Sequence, residues 1–217
     1  MNNLYERQDT LDLNPPTTVT VVGLGGVGIW VALNLALSGV KELFLVDFDN
    51  LEEHNLNRTP YKSSQIGSPK VIAAQDLINE RRIDTLITPI LSRIEEIPEP
   101  FIEQIKNSVV IDCKDNSNAL PYELKSKIIG GYDGMKMSLH INPSEDTVWG
   151  DTPTRYETVP SWLCPPQLIA NFITYALCTG DLPEDERVIN TSMKQIFNNV
   201  IEVNNDKEKT EEPEEKE

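Results

Sequence analysis

The chain of 217 residues is 39% apolar and 25% charged, enough for one sizeable α/β domain with its own core or two small ones, and too much for a short peptide scaffold. Nineteen basic residues against thirty-five acidic ones leave a formal charge of −16, which argues against nucleic acid or an anionic membrane as the partner. No apolar run approaches the roughly 18 to 20 residues of a bilayer span, and Met1-Asn2-Asn3-Leu4-Tyr5-Glu6 lacks a basic and then apolar leader, so a cytoplasmic protein is expected.

A polar lead with Pro15-Pro16 gives way to Val19-Thr20-Val21-Val22, a β-branched run stopped by glycines that reads as a buried first strand. Val27 to Gly39 follows as a helix apolar over most of its circumference, with Gly39 placed to end it. Glu42 to Asp47 is the second strand. Its crossover from the first needs a helix, so a right-handed parallel βαβ unit is expected. A helix over Ser68 to Arg81, a strand over Thr85 to Leu91, a short helix over Pro100 to Lys106 and a strand over Ser108 to Asp112 continue the alternation. The pattern predicts a doubly wound, mostly parallel Rossmann-like sheet with helices on both faces. Beyond it, Leu120 to Lys127 reads as helical, with Pro121 in the first turn. Ile128-Ile129 and Met135 to Ile141 read as strands around a turn Gly130 to Gly134, and Pro165 opens a helix through Leu177. Asn142 to Cys164 is a polar connection of the length expected of a functional loop. Arg187 to Val203 has no clear pattern. Asn204 to Glu217 carries seven acids and three lysines, and is expected to be a disordered acidic tail after one domain over 1–203.

Gly23-Leu24-Gly25-Gly26-Val27-Gly28 satisfies G-x-G-x-x-G between a strand and a helix. Glycines there let backbone approach a phosphate, and the N–H groups of the helix start stabilise its charge. Asp47, at the end of the second strand, is placed to accept hydrogen bonds from a ribose. Taken alone, this fingerprint favours a dinucleotide and is the one an NAD(P)- or FAD-binding oxidoreductase would also show. The stretch that follows, through Asp49 and Asn55 to Arg58 and then Gly67-Ser68-Pro69-Lys70, brings an arginine and a lysine that a dehydrogenase does not need and a triphosphate does. Asp112-Cys113-Lys114-Asp115-Asn116 puts carboxylates just past the fourth strand, where a hard oxygen ligand suits Mg²⁺ held against phosphates.

The motifs G-x-G-G-V-G, D-x-D-x(5)-N-L-x-R, G-x-x-K and D-x-x-D-N occur in this order, and together they resemble the ThiF/MoeB/HesA superfamily of ubiquitin-activating-enzyme-like adenylyltransferases. The likeness spans Tyr5 to about Leu177. It implies a ThiF-type adenylation domain that uses ATP and Mg²⁺ to activate the C-terminal carboxylate of a ubiquitin-like or sulfur-carrier protein ending in Gly-Gly, as an acyl adenylate with release of pyrophosphate. By the same resemblance Gly23, Gly25, Gly26 and Gly28 form the nucleotide cradle and Asp47 is the ribose ligand. Asn55 lies near the phosphates, Arg58 and Lys70 bind the triphosphate, and Asp115 is the Mg²⁺ ligand. Tyr5-Glu6-Arg7-Gln8 is similar to the family's Y-x-R-Q, which makes Arg7 a finger reaching into the partner subunit's site and implies a homodimer or heterodimer.

The chain departs from the family pattern at four places, one of them the spacing from Arg7 to Gly23, which is short for a lead that spans a dimer in the usual way. No C-x-x-C pair is present among Cys113, Cys164 and Cys178, so no zinc is expected. Leu120 stands where an arginine usually follows the Mg²⁺ aspartate, and Thr59 where a glutamine commonly follows the motif arginine. These departures keep open a nucleotide-binding but inactive subunit of a heterodimeric activating enzyme. Cys164, before Pro165-Pro166, is a candidate acyl acceptor at a helix start, with packing beside Trp162 and Leu163 as the plainer alternative.

Overall fold

A computed structural model of the chain describes residues 4–81, 84–115, 120–124, 126–143 and 160–209, with 202–209 as backbone. Asn116, most of the connection between Asn142 and Cys164, and the last eight residues of the acidic tail lie outside the described residues. The strands are β1 Thr18–Val22, β2 Glu42–Asp47, β3 Leu86–Leu91, β4 Val109–Asp112, β5 Lys127–Asp133, β6 Lys136–Ile141 and β7 Arg187–Ser192, and the helices are α1 Gly28–Leu37, α2 Lys70–Asn79, α3 Glu99–Lys106, α4 Cys164–Thr179 and α5 Met193–Lys209. The sheet order is β3-β2-β1-β4-β5-β6-β7. The first five strands in that order run parallel, and β6 and β7 are antiparallel additions.

Alternation along the central strands divides the core in two. Val19 and Val21 of β1, Leu43 and Leu45 of β2 and Ile111 of β4 join one cluster with residues of α1, α2 and α4. Val22, Phe44, Val46 and Val110 point the other way and meet Ile105 and Phe101 of α3. Both faces being covered explains why these strands read as continuous apolar runs; each such side chain contributes roughly 1.5–3 kcal/mol on burial. Pro89 is tolerated because β3 is an edge strand. At the end of α1, Gly39 takes φ +100 with the Tyr5 ring 3.5 Å from where its Cβ would be, and Gln8 Nε2 donates to the Ser38 carbonyl at 2.9 Å. The N-terminal lead is thus fastened to the C-terminal end of α1.

Two expectations are corrected. Leu120 to Leu124 is not helical; Leu120 is buried with Ile94, Ile97 and Ile105 while Tyr122 and Leu124 pack on that cluster, so tertiary burial overrides helix propensity. Gly130 and Gly131 are not a turn but lie inside β5, because a Cβ on Gly130 would stand 3.0 Å from Ile169 and 3.1 Å from Ile173 of α4; the bare backbone lets the helix lie close. Arg187 to Val203, without pattern in the sequence, falls in β7 and in α5, which runs Met193–Lys209. Among the described residues no helix is long and apolar enough to cross a membrane.

Candidate functional site

A cleft of about 1570 Å³ opens over the carboxyl ends of the parallel strands, at the switch point where the order turns from β1 to β4. It exceeds the roughly 300–1,000 Å³ of a single small-molecule site.

The glycine turn shapes one wall. Gly23 takes φ +82, and a methyl there would lie 2.9 Å from the Cys113 carbonyl carbon and oxygen. A methyl on Gly28 would overlap the Gly23 carbonyl oxygen, and one on Gly26 would meet the Tyr132 hydroxyl at 2.6 Å. Gly25 differs, since a Cβ there would find nothing within 4 Å. Its bare backbone faces the cleft, and a side chain would fill the cradle. Tyr61, buried, donates to the Leu24 carbonyl at 3.0 Å and pins the turn from behind.

Asp47 ends β2 almost buried, one carboxylate oxygen accepting from the Leu24 N–H at 2.6 Å and the other from the Asp49 N–H at 2.8 Å. Burial raises its pKa from the ordinary carboxylate value, with Lys70 and the two N–H groups opposing. Lys70 opens α2, its side chain only 12% exposed and its ammonium 3.1 Å from Asp49. Asn55 is buried, its side-chain oxygen accepting from the Glu52 N–H at 3.0 Å. Arg58 Nη1 donates to the His54 carbonyl at 2.6 Å and to Asn57 at 3.0 Å, which folds the guanidinium onto its own turn. Thr59 is buried and donates to the Asn55 carbonyl at 2.8 Å, so its hydroxyl closes that turn.

Across the cleft, the Lys114 ammonium sits 2.8 Å from the Asp112 carboxylate, both side chains about nine-tenths buried. Burial raises the Asp112 pKa and Lys114 opposes it. Asp115 follows as an exposed carboxylate on the cleft wall. Among the described residues no group of three or more His, Cys, Asp or Glu gathers as a metal cage. A lone carboxylate beside a phosphate cradle still fits Mg²⁺, which takes most of its ligands from phosphate and water.

Gly23, Gly25, Gly26, Asp47, Asn55, Arg58, Lys70 and Asp115 therefore line one cleft, with Gly28 directly behind the turn. Arg7 is exposed, on the lead, and does not line it. Leu120, in the second core cluster, does not reach it either. The sequence reading missed Tyr61, Tyr132, Lys136, Ser138, His140 and Asn190, which also line or brace the site. Ser138-x-His140 was legible as two polar residues on one face of a strand, whereas Asn190 comes from a segment with no readable pattern.

The cysteines separate by environment. Burial raises the Cys113 thiol far above its ordinary value, with the Asp112 carboxylate adding, and burial raises Cys178 as well. Cys164 opens α4 and does not line the cleft. Because the thiolate is the reactive form, iodoacetamide at pH 8 is expected to modify Cys164 in the folded protein and to spare Cys113 and Cys178, as read by peptide mass spectrometry.

The fold and its cleft have counterparts among solved structures. Escherichia coli MccB determined with ATP superposes with a TM-score of 0.62 at 17% identity, covering 89% of this chain and 72% of that one, and PaaA with 0.59 at 22% identity, covering 82% and 64%. In sequence, the chain is 36% identical over 135 residues to the molybdopterin-synthase adenylyltransferase of Salmonella typhimurium, covering 58% of this chain and 52% of that protein. It is 24% identical over 189 residues to the NEDD8-activating enzyme E1 catalytic subunit of Schizosaccharomyces pombe, covering 79% and 38%. The chain thus spans about half the length of these curated relatives or less. The ThiF family model matches residues 6–124, more than half of the sequence and the whole stretch that builds the glycine turn and the cation-bearing loops, and this chain belongs to the ThiF family.

Proposed function

We propose that this chain is an adenylyltransferase that binds ATP in the cleft and activates the C-terminal carboxylate of a ubiquitin-like or sulfur-carrier protein, or of a peptide, with release of pyrophosphate. The observation that carries the reading is the convergence of Arg58, Lys70 and Asp115 on the cleft that Gly25 leaves bare and Asp47 closes. An oxidoreductase would leave these three charged side chains without a role. The names of the relatives support the same reading, as does a structural neighbour, MccB, determined in complex with N-formylated MccA.

On this reading Asp47 accepts hydrogen bonds from the ribose hydroxyls, and the Gly25 backbone lies against the phosphates. A carboxylate oxygen of the substrate attacks the α-phosphorus, forming the acyl phosphate bond as the bond to the β-phosphate oxygen breaks. No side chain acts as nucleophile. Lys70, in the first turn of α2, and Arg58 hold the charge that moves onto pyrophosphate. Asp115 would hold Mg²⁺, which when bound supplies further neutralisation of the phosphates. Arg7 acts only in the cleft of a second subunit, since its own is at the other end of α1.

Exchange of labelled pyrophosphate into ATP tests the proposal, with Mg²⁺ and either a Gly-Gly-ending ubiquitin-fold carrier or a panel of C-terminal peptides. The wild-type chain is expected to exchange, and Asp115→Asn to lower the rate about 10²-fold or more. Tight NAD(P) binding with no exchange would assign the oxidoreductase alternative. ATP binding with exchange only after a companion protein is added would assign the inactive subunit.

A further inference from the structure

The antiparallel end of the sheet carries a second feature of the cleft. Alternation puts Ile128 and Gly130 of β5 against α4, so Ile129, Gly131 and Asp133 face the opposite side. Pairing of Gly131 with Ser138 and of Ile129 with His140 places Ser138 and His140 on that same side, and pairing of Ser138 with Asn190 adds Asn190. Helices α4 and α5 pack on the other face, α5 through Met193 and Ile196. Here the sheet presents hydrogen-bonding groups to the cleft where the parallel half presents a core.

Three of these groups form one network. The Ser138 hydroxyl lies 2.7 Å from His140 Nε2 and 2.6 Å from Asn190 Oδ1. Ser138 and His140 are more than nine-tenths buried, yet both line the cleft, and His140 Nδ1 has no hydrogen-bond partner. An unsatisfied buried polar atom costs roughly 1–3 kcal/mol. Burial lowers the His140 pKa and Glu186 opposes it, so burial favours the uncharged ring, and the serine and asparagine beside it carry no charge. Asp133 and Lys136 flank it with one charge of each sign.

Register fixes where this trio stands relative to the reaction. His140 pairs with Ile129, and Ile129 with Asp112, so His140 is level with the start of the Asp112–Asp115 loop. Two strand spacings, about 10 Å, separate β4 from β6. Between them lies Gly131, which offers no side chain on the cleft side. An extended chain advances about 3.4 Å per residue, so a peptide whose terminal carboxylate reaches the switch point and lies across Gly131 sets a side chain over the trio two or three residues before the terminal one.

We propose that Ser138, His140 and Asn190 form a specificity subsite for an uncharged hydrogen-bonding side chain, a carboxamide or a hydroxyl, two or three residues before the activated C-terminus of an extended peptide. The subsite rests on the adenylation reading for the position of the carboxylate. It also distinguishes this substrate from one whose tail offers only glycine there.

Fluorescently labelled seven-residue peptides, identical except for Asn, Ser, Leu, Asp or Lys at each of the last five positions in turn, are titrated against the full chain with ATP and Mg²⁺. Asn or Ser at one of the two assigned positions is expected to bind about tenfold more tightly than Leu, Asp or Lys there, and Ser138→Ala and Asn190→Ala are each expected to flatten that preference. Asn190 is on the exposed edge strand, so its variant keeps the test if the Ser138 variant fails to fold. Affinity independent of those two positions, no binding of any peptide, or a preference that survives in Asn190→Ala would overturn the subsite. A preference in binding without pyrophosphate exchange would leave the subsite standing and remove adenylation, and exchange without a preference would do the reverse.

Discussion

Gly25→Ala is expected to keep the stability of the wild-type chain while losing nucleotide affinity by about 10- to 100-fold, and Gly28→Ala is expected to lose the turn itself. The contrast follows from what each new methyl would meet. On Gly25 it would find open space, inside the volume that a phosphate would occupy. The loss expected there is that of one charge-assisted hydrogen bond from backbone to phosphate, about 1.5–3 kcal/mol. On Gly28 the methyl would overlap the Gly23 carbonyl oxygen, and Gly23 is itself held at φ +82 against the Cys113 backbone. Neither backbone has room to retreat, so a destabilisation of about 3 kcal/mol or more is expected. Thermal unfolding and ATP titration of the two variants separate the effects; equal stability loss in both would show that the open space at Gly25 is not a cradle.

The second large effect is at Lys70. Lys70→Met keeps the stem that packs at the start of α2 and removes the ammonium beside Asp49. If Lys70 stabilises the departing pyrophosphate, exchange falls by about 10²- to 10³-fold, with ATP binding weakened far less. A pH effect accompanies it. Burial raises the Asp47 pKa and Lys70 is the largest opposing influence, so removing Lys70 moves that pKa further up. Asp47 then takes a proton at a higher pH and loses its strength as an acceptor for the ribose, and the acid limb of ATP binding shifts upward. A binding profile that keeps its acid limb in place would sever Lys70 from Asp47, and unchanged exchange would remove Lys70 from the chemistry.

The parallel half of the fold was legible because its signals are local. Val19 to Val22 and Glu42 to Asp47 are strands buried on both faces, bounded by Gly23 and by polar residues, and β2 begins and ends as read. The glycine turn and Asp47 were read from their place between strand and helix, while Asn55, Arg58, Lys70 and Asp115 were assigned through the family resemblance; all but Gly28 line one cleft. What was not legible depends on distant partners. Gly130 and Gly131 look like a turn until Ile169 and Ile173 are packed against Gly130. Leu120 looks like the start of a helix until Ile94, Ile97 and Ile105 surround it. His140 had no partner in the sequence because one of its network, Asn190, lies 52 residues from Ser138 on a strand of weak pattern. Arg7 was assigned by its resemblance to a motif in the lead, and the fold keeps it out of its own cleft.

The anchoring of the lead bears on the last point. Tyr5 and Gln8 are fixed at Gly39 and Ser38, while the glycine turn abuts the opposite end of α1. Ten helical residues, about 15 Å, stand between. Any catalytic duty of Arg7 is therefore owed to a neighbour's reaction centre. In a symmetric pair each turnover would then be completed by two polypeptides.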